Sequence, residues 1–295
     1  MGGVRVVAYA KVNLSLEVLG KRGDGFHEVR SVIQSLEIAD EVCLEEAPQF
    51  SISCDLPVLA SEDNLVVKAI GLLAGSHALD TAVSVRLRKS IPFASGLGGA
   101  SADAAAALVA FDSLRRADLA ARDLTAAAAL LGSDVPFFLK GGTAEVSGRG
   151  EIVRPLSDLP TSWLVLLVPS HAVERKTATL YRLLSPDSWS TGERTDRLAT
   201  AISRGDAAEP SLLGNCFEAV ADAAFPSLPS YRAAMLAAGC ESVHLSGAGP
   251  SLFSLFEREK EARSAAKRLV SSGFQPIVAR TLTSAEARPR PLPPA

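Results

Sequence analysis

The segment Pro92-Phe93-Ala94-Ser95-Gly96-Leu97-Gly98-Gly99-Ala100-Ser101-Ala102-Asp103-Ala104 constrains this chain more than any other. Gly96, Gly98 and Gly99 fall within four residues, a density that lets backbone take positive φ and approach a ligand closely. Ser101–Leu114 is alanine-dense, with strong helix propensity. A glycine loop feeding a helix has two physical readings. In one, the first helical N–H groups lack intrahelical partners and, with the positive end of the helix dipole, form an anion site. Ser101 then adds a hydroxyl to a phosphate or to its Mg²⁺. In the other, the loop is a tight strand–helix connection and Ser101 is the N-cap. Glycine content alone does not choose between them. The loop is not a Walker A sequence, which needs Gly-Lys-Ser/Thr, and Ser101 stands where Gly-x-Gly-x-x-Gly needs its third glycine.

With 295 residues, 47% of them hydrophobic, two domains are the better expectation, because single cores stop growing at about 250–300 residues. A net charge of −3 gives no electrostatic case for nucleic acid or an anionic membrane as partner. Any anionic ligand has to be held by backbone amides and a few basic side chains. No run approaches the roughly 20 apolar residues of a membrane span. Met1–Ala10 has Arg5 as its one basic residue and no apolar core of signal-peptide length. Cys43, Cys54, Cys216 and Cys240 make no close pair or metal-type spacing. A reduced, cytoplasmic protein is expected.

The apolar pattern predicts strands at Val4–Tyr9, Leu14–Val18, Val42–Glu45 and Val83–Leu87, and a helix over Asn64–Leu73. A second helix, Leu124–Leu131, stops at Gly132; Thr143–Val146 and Glu151–Arg154 flank a hairpin turn. After Pro155–Pro160 the pattern restarts with the apolar run Trp163–Val168. Ser185–Arg194 reads as a surface loop. Helices follow at Cys216–Ala224, Leu228–Ala238 and Lys260–Ser271, and strands at Ser242–Leu245, Leu252–Phe256 and Gln275–Arg280. The expected organisation is α+β, with an N-terminal domain over 1–157, a C-terminal domain over 158–286 and a disordered proline-rich tail over 287–295.

Single residues are ambiguous. Lys11 is a point charge among apolar residues after a strand, or a lysine snorkelling at a strand edge. His27 taken alone reads as structural, and Asp24-Gly25 as a turn. Asp134, in Gly132-Ser133-Asp134-Val135-Pro136-Phe137-Phe138, is a helix N-cap or a catalytic carboxylate.

The glycine string resembles the phosphate loop of the GHMP kinases. Ala10-Lys11-Val12-Asn13-Leu14, Gly20-Lys21-Arg22, Asp24-Gly25-Phe26-His27 and Gln34-Ser35-Leu36, in that order, resemble the branch of that family acting on 4-diphosphocytidyl-2-C-methyl-D-erythritol. The resemblance implies an N-terminal left-handed βαβ nucleotide domain and a C-terminal ferredoxin-like domain. It implies ATP held by Pro92, Phe93, Ala94, Ser95 and Gly96, and by Leu97, Gly98, Gly99, Ala100, Ser101 and Ala102. Lys11 and Asp134 would be catalytic, and Asn13 would lie beside the reacting hydroxyl. His27 would hydrogen-bond the cytosine, while Phe26 and Tyr181 would stack on it. Mg²⁺ is expected with the ATP, without a dedicated acidic cage. The expected partner is a small cytidyl substrate, with no nucleic acid or membrane, and a monomer or homodimer is expected. Leu245–Phe253 resembles the family's third motif, a glycine turn against the phosphate loop. The chain departs from the pattern at Ala100, Ala102, Phe26, Lys176 and Cys216.

Overall fold

The computed structural model describes residues 2–169 and 176–293. Two long antiparallel strands, Gly3–Lys21 (β1) and His27–Glu46 (β2), begin the chain. Ser51–Cys54 (β3), Leu65–His77 (α1), Val83–Arg88 (β4), Gly99–Arg115 (α2), Ala121–Leu131 (α3), Val135–Phe138 (α4), Thr143–Ser147 (β5) and Ile152–Pro155 (β6) follow. The sheet runs β3-β4-β2-β1, with β5 also on β2 and β6 beyond β5.

β1 is one strand where the apolar pattern predicts two. Register shifts at Tyr9/Ala10, Asn13/Ser15 and Val18/Gly20 carry it past the polar Lys11 and Asn13 as bulges, which re-aim side chains. All of Ala10–Val18 is buried, because α2 covers one side and the second half of the chain the other. The early part of β2 is likewise not evident from periodicity. Its residues Ser31–Gln34 pair with β5 while also pairing with β1, and are buried throughout.

The Asn64 side chain caps α1 by accepting from the Val66 N–H at 2.9 Å. Val66, Ala69, Ile70 and Leu73 of α1 join Ala104–Leu108 and Phe111 of α2 in the first core. The alanines of α2 have no bulk to hold the helix away from the sheet, which suits a helix sunk into the middle of this layer.

The second half contains Trp163–Leu167 (β7), Lys176–Leu183 (α5), Glu193–Ser203 (α6), Gly214–Asn215 (β8), Glu218–Ala224 (α7), Leu228–Ala237 (α8), His244–Leu245 (β9), Leu252–Phe256 (β10), Glu259–Ser271 (α9), Ile277–Arg280 (β11) and Ser284–Ala287 (α10). Its sheet runs β11-β7-β10-β9, wholly antiparallel, the strand order of a ferredoxin-like layer. A third apolar cluster joins Val12, Leu14 and Leu36 to Leu164, Leu166, Leu198 and Phe253, so the two sheets share a core.

Two expectations are corrected. The loop placed at Ser185–Arg194 ends two residues early, because α6 starts at Glu193. Thr195, Leu198, Ala199 and Ile202 form its buried face. The tail from Ala287 to Pro293 is not loose: Leu292 and Arg5 exchange backbone hydrogen bonds of 3.0 and 2.8 Å. Pro294 and Ala295 lie outside the described residues. β8 also crosses back, pairing parallel with β1 at Ser15 and Leu16.

Candidate active site

A cavity of about 670 Å³ lies between the halves, floored by the glycine loop and the β1 residues Lys11 and Asn13. α2 starts at Gly99 with Gly98 as N-cap. Ser101 is therefore inside the first turn and is not the N-cap, and it lines the cavity. The N–H groups of Gly99, Ala100 and Ser101 precede the first intrahelical acceptor bond, Ala102 N–H to Gly98 O at 2.9 Å, and form the open donor end of the helix.

Two glycines are dictated by crowding. A Cβ on Gly98 (φ +79°) would sit 2.5 Å from the Phe138 ring and 3.0 Å from Lys11 Cγ. One on Gly96 (φ +89°) would sit 2.4 Å from the Ser246 carbonyl oxygen. The loop is thus pressed between α4, β1 and the Leu245–Ser251 turn. Pro92, Phe93, Ala94, Ser95, Gly96, Gly98, Gly99, Ala100 and Ser101 line the cavity. Leu97 and Ala102 do not: both are buried behind the loop, and the Leu97 carbonyl accepts from the Lys11 N–H at 2.9 Å.

Lys11 Nζ donates to Asn13 Oδ1 at 2.5 Å and lies 3.5 Å from Asp134 Oδ2. Asn13 in turn donates to Ser31 Oγ at 2.7 Å. Asp134 occupies the N-cap position of α4, yet its side chain makes no capping bond. The carboxylate is left to face Lys11 and the cavity. Lys11 is 3% exposed, so the snorkelling reading fails; this lysine points inward.

Also on the cavity wall, Tyr181 of α5 stacks on His27 with centroids 4.4 Å apart and meets the edge of Phe217. Burial, with the charge of Lys21 adding, pulls the His27 pKa down and favours neutral imidazole, able both to donate and to accept. Tyr181 lines the cavity directly, whereas His27 reaches it through Tyr181. Phe26 does not line it. Its ring is half-exposed, with the Arg149 guanidinium 5.0 Å from its centroid, and Arg149 does line the cavity.

Several contributors were missed by sequence reasoning. Val58, Leu59, Asn64 and Leu65 line the same cavity as Pro92 and Phe93. Val58 and Phe93 are largely exposed apolar groups, a surface suited to a flat base. Lys89 forms ion pairs with both Asp40 and Asp103, all three nearly fully buried. Asp40 Oδ1 accepts the N–H groups of Ser90 and Ile91 at 2.6 and 2.8 Å. This cluster pins the strand entering the loop to the helix leaving it. Burial, with the charge of Asp40 adding and Lys89 opposing, pushes the Asp103 carboxyl up to about 7. Nothing in the local sequence joins Asp40 to Asp103.

The Leu245–Ser251 turn sits against the loop as the third motif should. Ser251 N–H donates to Ser95 O at 3.0 Å and Ser246 Oγ to Gly96 O at 3.1 Å. Asn215 holds that turn from behind, donating to the carbonyls of Leu245 and Gly247 at 2.9 and 2.8 Å. Its block is structural.

Family models match two stretches of the chain. Residues 64–142 match the GHMP kinases N terminal domain and residues 198–275 the GHMP kinases C terminal domain. Fold and phosphate loop together define an ATP-dependent small-molecule kinase of the GHMP class. A 4-diphosphocytidyl-2-C-methyl-D-erythritol kinase of Dehalococcoides mccartyi is 43% identical over 94% of this chain and 98% of its own length. The enzyme of the same name from Pelotomaculum thermopropionicum is 38% identical over the same shares. A crystal structure of 4-(cytidine 5'-diphospho)-2C-methyl-D-erythritol kinase superposes with a TM-score of 0.79 at 32% identity, covering 94% of this chain and 98% of that one. The homoserine kinase of Cytophaga hutchinsonii, at 19% identity and a TM-score of 0.76, shares the fold. The chain belongs to the 4-diphosphocytidyl-2-C-methyl-D-erythritol kinase family.

Proposed function

We propose that this enzyme transfers the γ-phosphoryl group of ATP to the 2-hydroxyl of 4-diphosphocytidyl-2-C-methyl-D-erythritol. The products are the 2-phosphate and ADP, within the methylerythritol phosphate route to isoprenoid precursors in the cytoplasm. The observation that carries the reading is the Lys11–Asp134 pair, 3.5 Å apart and facing a cavity floored by the glycine loop.

In this reading the loop amides hold the triphosphate. The substrate hydroxyl lies against Asp134 and attacks the γ-phosphorus in line. One P–O bond forms, the bond to the β-phosphate oxygen breaks, and Asp134 takes the hydroxyl proton as ADP leaves. Lys11 pairs with Asp134 and offsets charge on the attacking oxygen, while Asn13 fixes the lysine. Phosphoryl transfer depends mainly on such positioning and charge neutralisation.

Among the described residues no cluster of three or more His, Cys, Asp or Glu groups is poised for a metal. Oxygens beside the loop include the Ser101 hydroxyl and Asp103 Oδ1, which is buried without a hydrogen-bond partner. That sparse set fits Mg²⁺, which keeps waters and substrate phosphates as most of its ligands. Bound there, Mg²⁺ would neutralise phosphate charge.

The cytosine is assigned to the aromatic end, with Tyr181 and Phe26 as stacking faces and His27 as its hydrogen-bonding partner. Phe26→Ala is expected to raise KM for the cytidyl substrate about 5- to 100-fold, the range of a lost base–aromatic stack, while KM for ATP stays within about twofold. Steady-state kinetics with each substrate varied in turn check this; equal effects on both would remove the stack. The function itself is tested by ADP release with the cytidyl substrate, homoserine and mevalonate. Turnover confined to the first is expected.

A further inference from the structure

We propose that Lys176 is a second cationic residue of the transfer site, binding a phosphate oxygen of ATP held in the glycine loop. The inference rests on the ATP-site reading above and adds a residue to it. Lys176 opens α5, and its Nζ donates to the Ala94 carbonyl at 2.6 Å and to the Gly249 carbonyl. It lines the same cavity as Ser95, Gly96 and Ser101. A lysine ammonium has three N–H donors, so one remains after the two carbonyls.

No ion pair among the described residues gives Lys176 a carboxylate, in contrast to Lys11 with Asp134 and Lys89 with Asp40 and Asp103. Withdrawing a cation from water without an opposite charge is costly. Burial, with the positive charge of Lys11 adding, lowers the Lys176 ammonium to about 8. The other charged groups on the cavity wall are Asp63, Lys89, Asp103, Arg149 and the Lys11–Asp134 pair. A triphosphate in the loop supplies the negative charge that the protein does not. A purely mechanical role is poorly motivated, since the two loops that Lys176 bridges are already tied by Ser246 and Ser251.

Lys176→Gln keeps a donor for the carbonyls and removes the charge. With folding verified by thermal unfolding, kcat/KM for ATP is expected to fall about 10- to 100-fold, the loss of one charge-assisted hydrogen bond. KM for the cytidyl substrate should change less than about twofold. The wild-type kcat/KM for ATP should decline as pH rises through about 8, where the charged form is lost, and Lys176→Gln should lack that step. Lys176→Arg, charged at all these pH values, should recover most of the rate and shift the decline upward. A Gln variant with wild-type kcat/KM for ATP, or with the same decline near pH 8, would overturn the proposal. Should that variant not fold, calorimetry of ATP binding to wild type at pH 8.5 in two buffers decides. Proton uptake is expected as the ammonium is restored, and no uptake refutes it. Wild type that releases no ADP with the cytidyl substrate would reject the function instead.

Discussion

Asp134→Asn should retain its ATP affinity and lose about 10²- to 10⁴-fold in kcat, the range ascribed to a positioned general base. The substitution is nearly isosteric, and the Asp134 side chain makes no capping bond, so α4 has no reason to unravel. The four residues of that helix are buried and hold the turn in place from behind. What changes is charge. An amide takes no proton from the attacking hydroxyl and leaves Lys11, 3.5 Å away and almost sealed from solvent, without its carboxylate. The loss should appear in kcat, because neither residue belongs to the amide nest that holds the triphosphate. Nucleotide titration and single-turnover phosphoryl transfer separate the two. An unchanged kcat would reject the assignment of the base.

Lys89→Met should cost about 3–5 kcal/mol of stability near pH 7, the range for removing one partner from a buried ion pair. Lys89 stands between two carboxylates, and its side chain is 4% exposed, so solvent screens little of the interaction. Without the lysine, Asp40 and Asp103 face one another, both nearly buried and with no opposite charge between them. The sign with pH follows from the raised Asp103 pKa. A carboxyl whose folded pKa lies above its unfolded value binds its proton more tightly in the native state, so stability falls as pH rises from about 4 through 7. Losing Lys89 raises that pKa further. Denaturant titrations should therefore find the deficit of the variant smaller at pH 5 than at pH 7.5. A deficit that grows on acidification would show that the carboxylates do not depend on this lysine.

These two sites were not equally legible. Lys11, Asp134 and the glycine loop lie in short contiguous strings whose residue types carry their chemistry, and the fold brings them together. The Lys89 cluster draws on a β2 residue, a loop residue and an α2 residue 49 and 14 positions away from the lysine, a spacing without local signature. The base-sized wall at Val58, Leu59 and Leu65 was hidden for the same reason. In the fold, α1 announced itself through the one-sided pattern of Leu65, Val66, Ala69, Ile70 and Leu73, and β7, buried on both faces, through its unbroken apolar run. The Ala10–Asn13 stretch that joins the two predicted strands into β1 did not, nor did the early part of β2. Buried on both sides and interrupted by bulges, they carry polar residues such as Asn13, Ser31 and Gln34 inside the molecule, where alternation stops being informative. β8 is two residues long and is a strand only because β1 is beside it. The string names Phe26 but not its surroundings: the Arg149 guanidinium against its ring comes from a distant turn and has no local signature.

The crossing-back of β8 onto β1 and the latch between Arg5 and Leu292 leave the molecule without a seam. A protease nick in the connector at residues 156–162 should yield two fragments that travel as one particle under native conditions, each supplying what the other needs to stay folded.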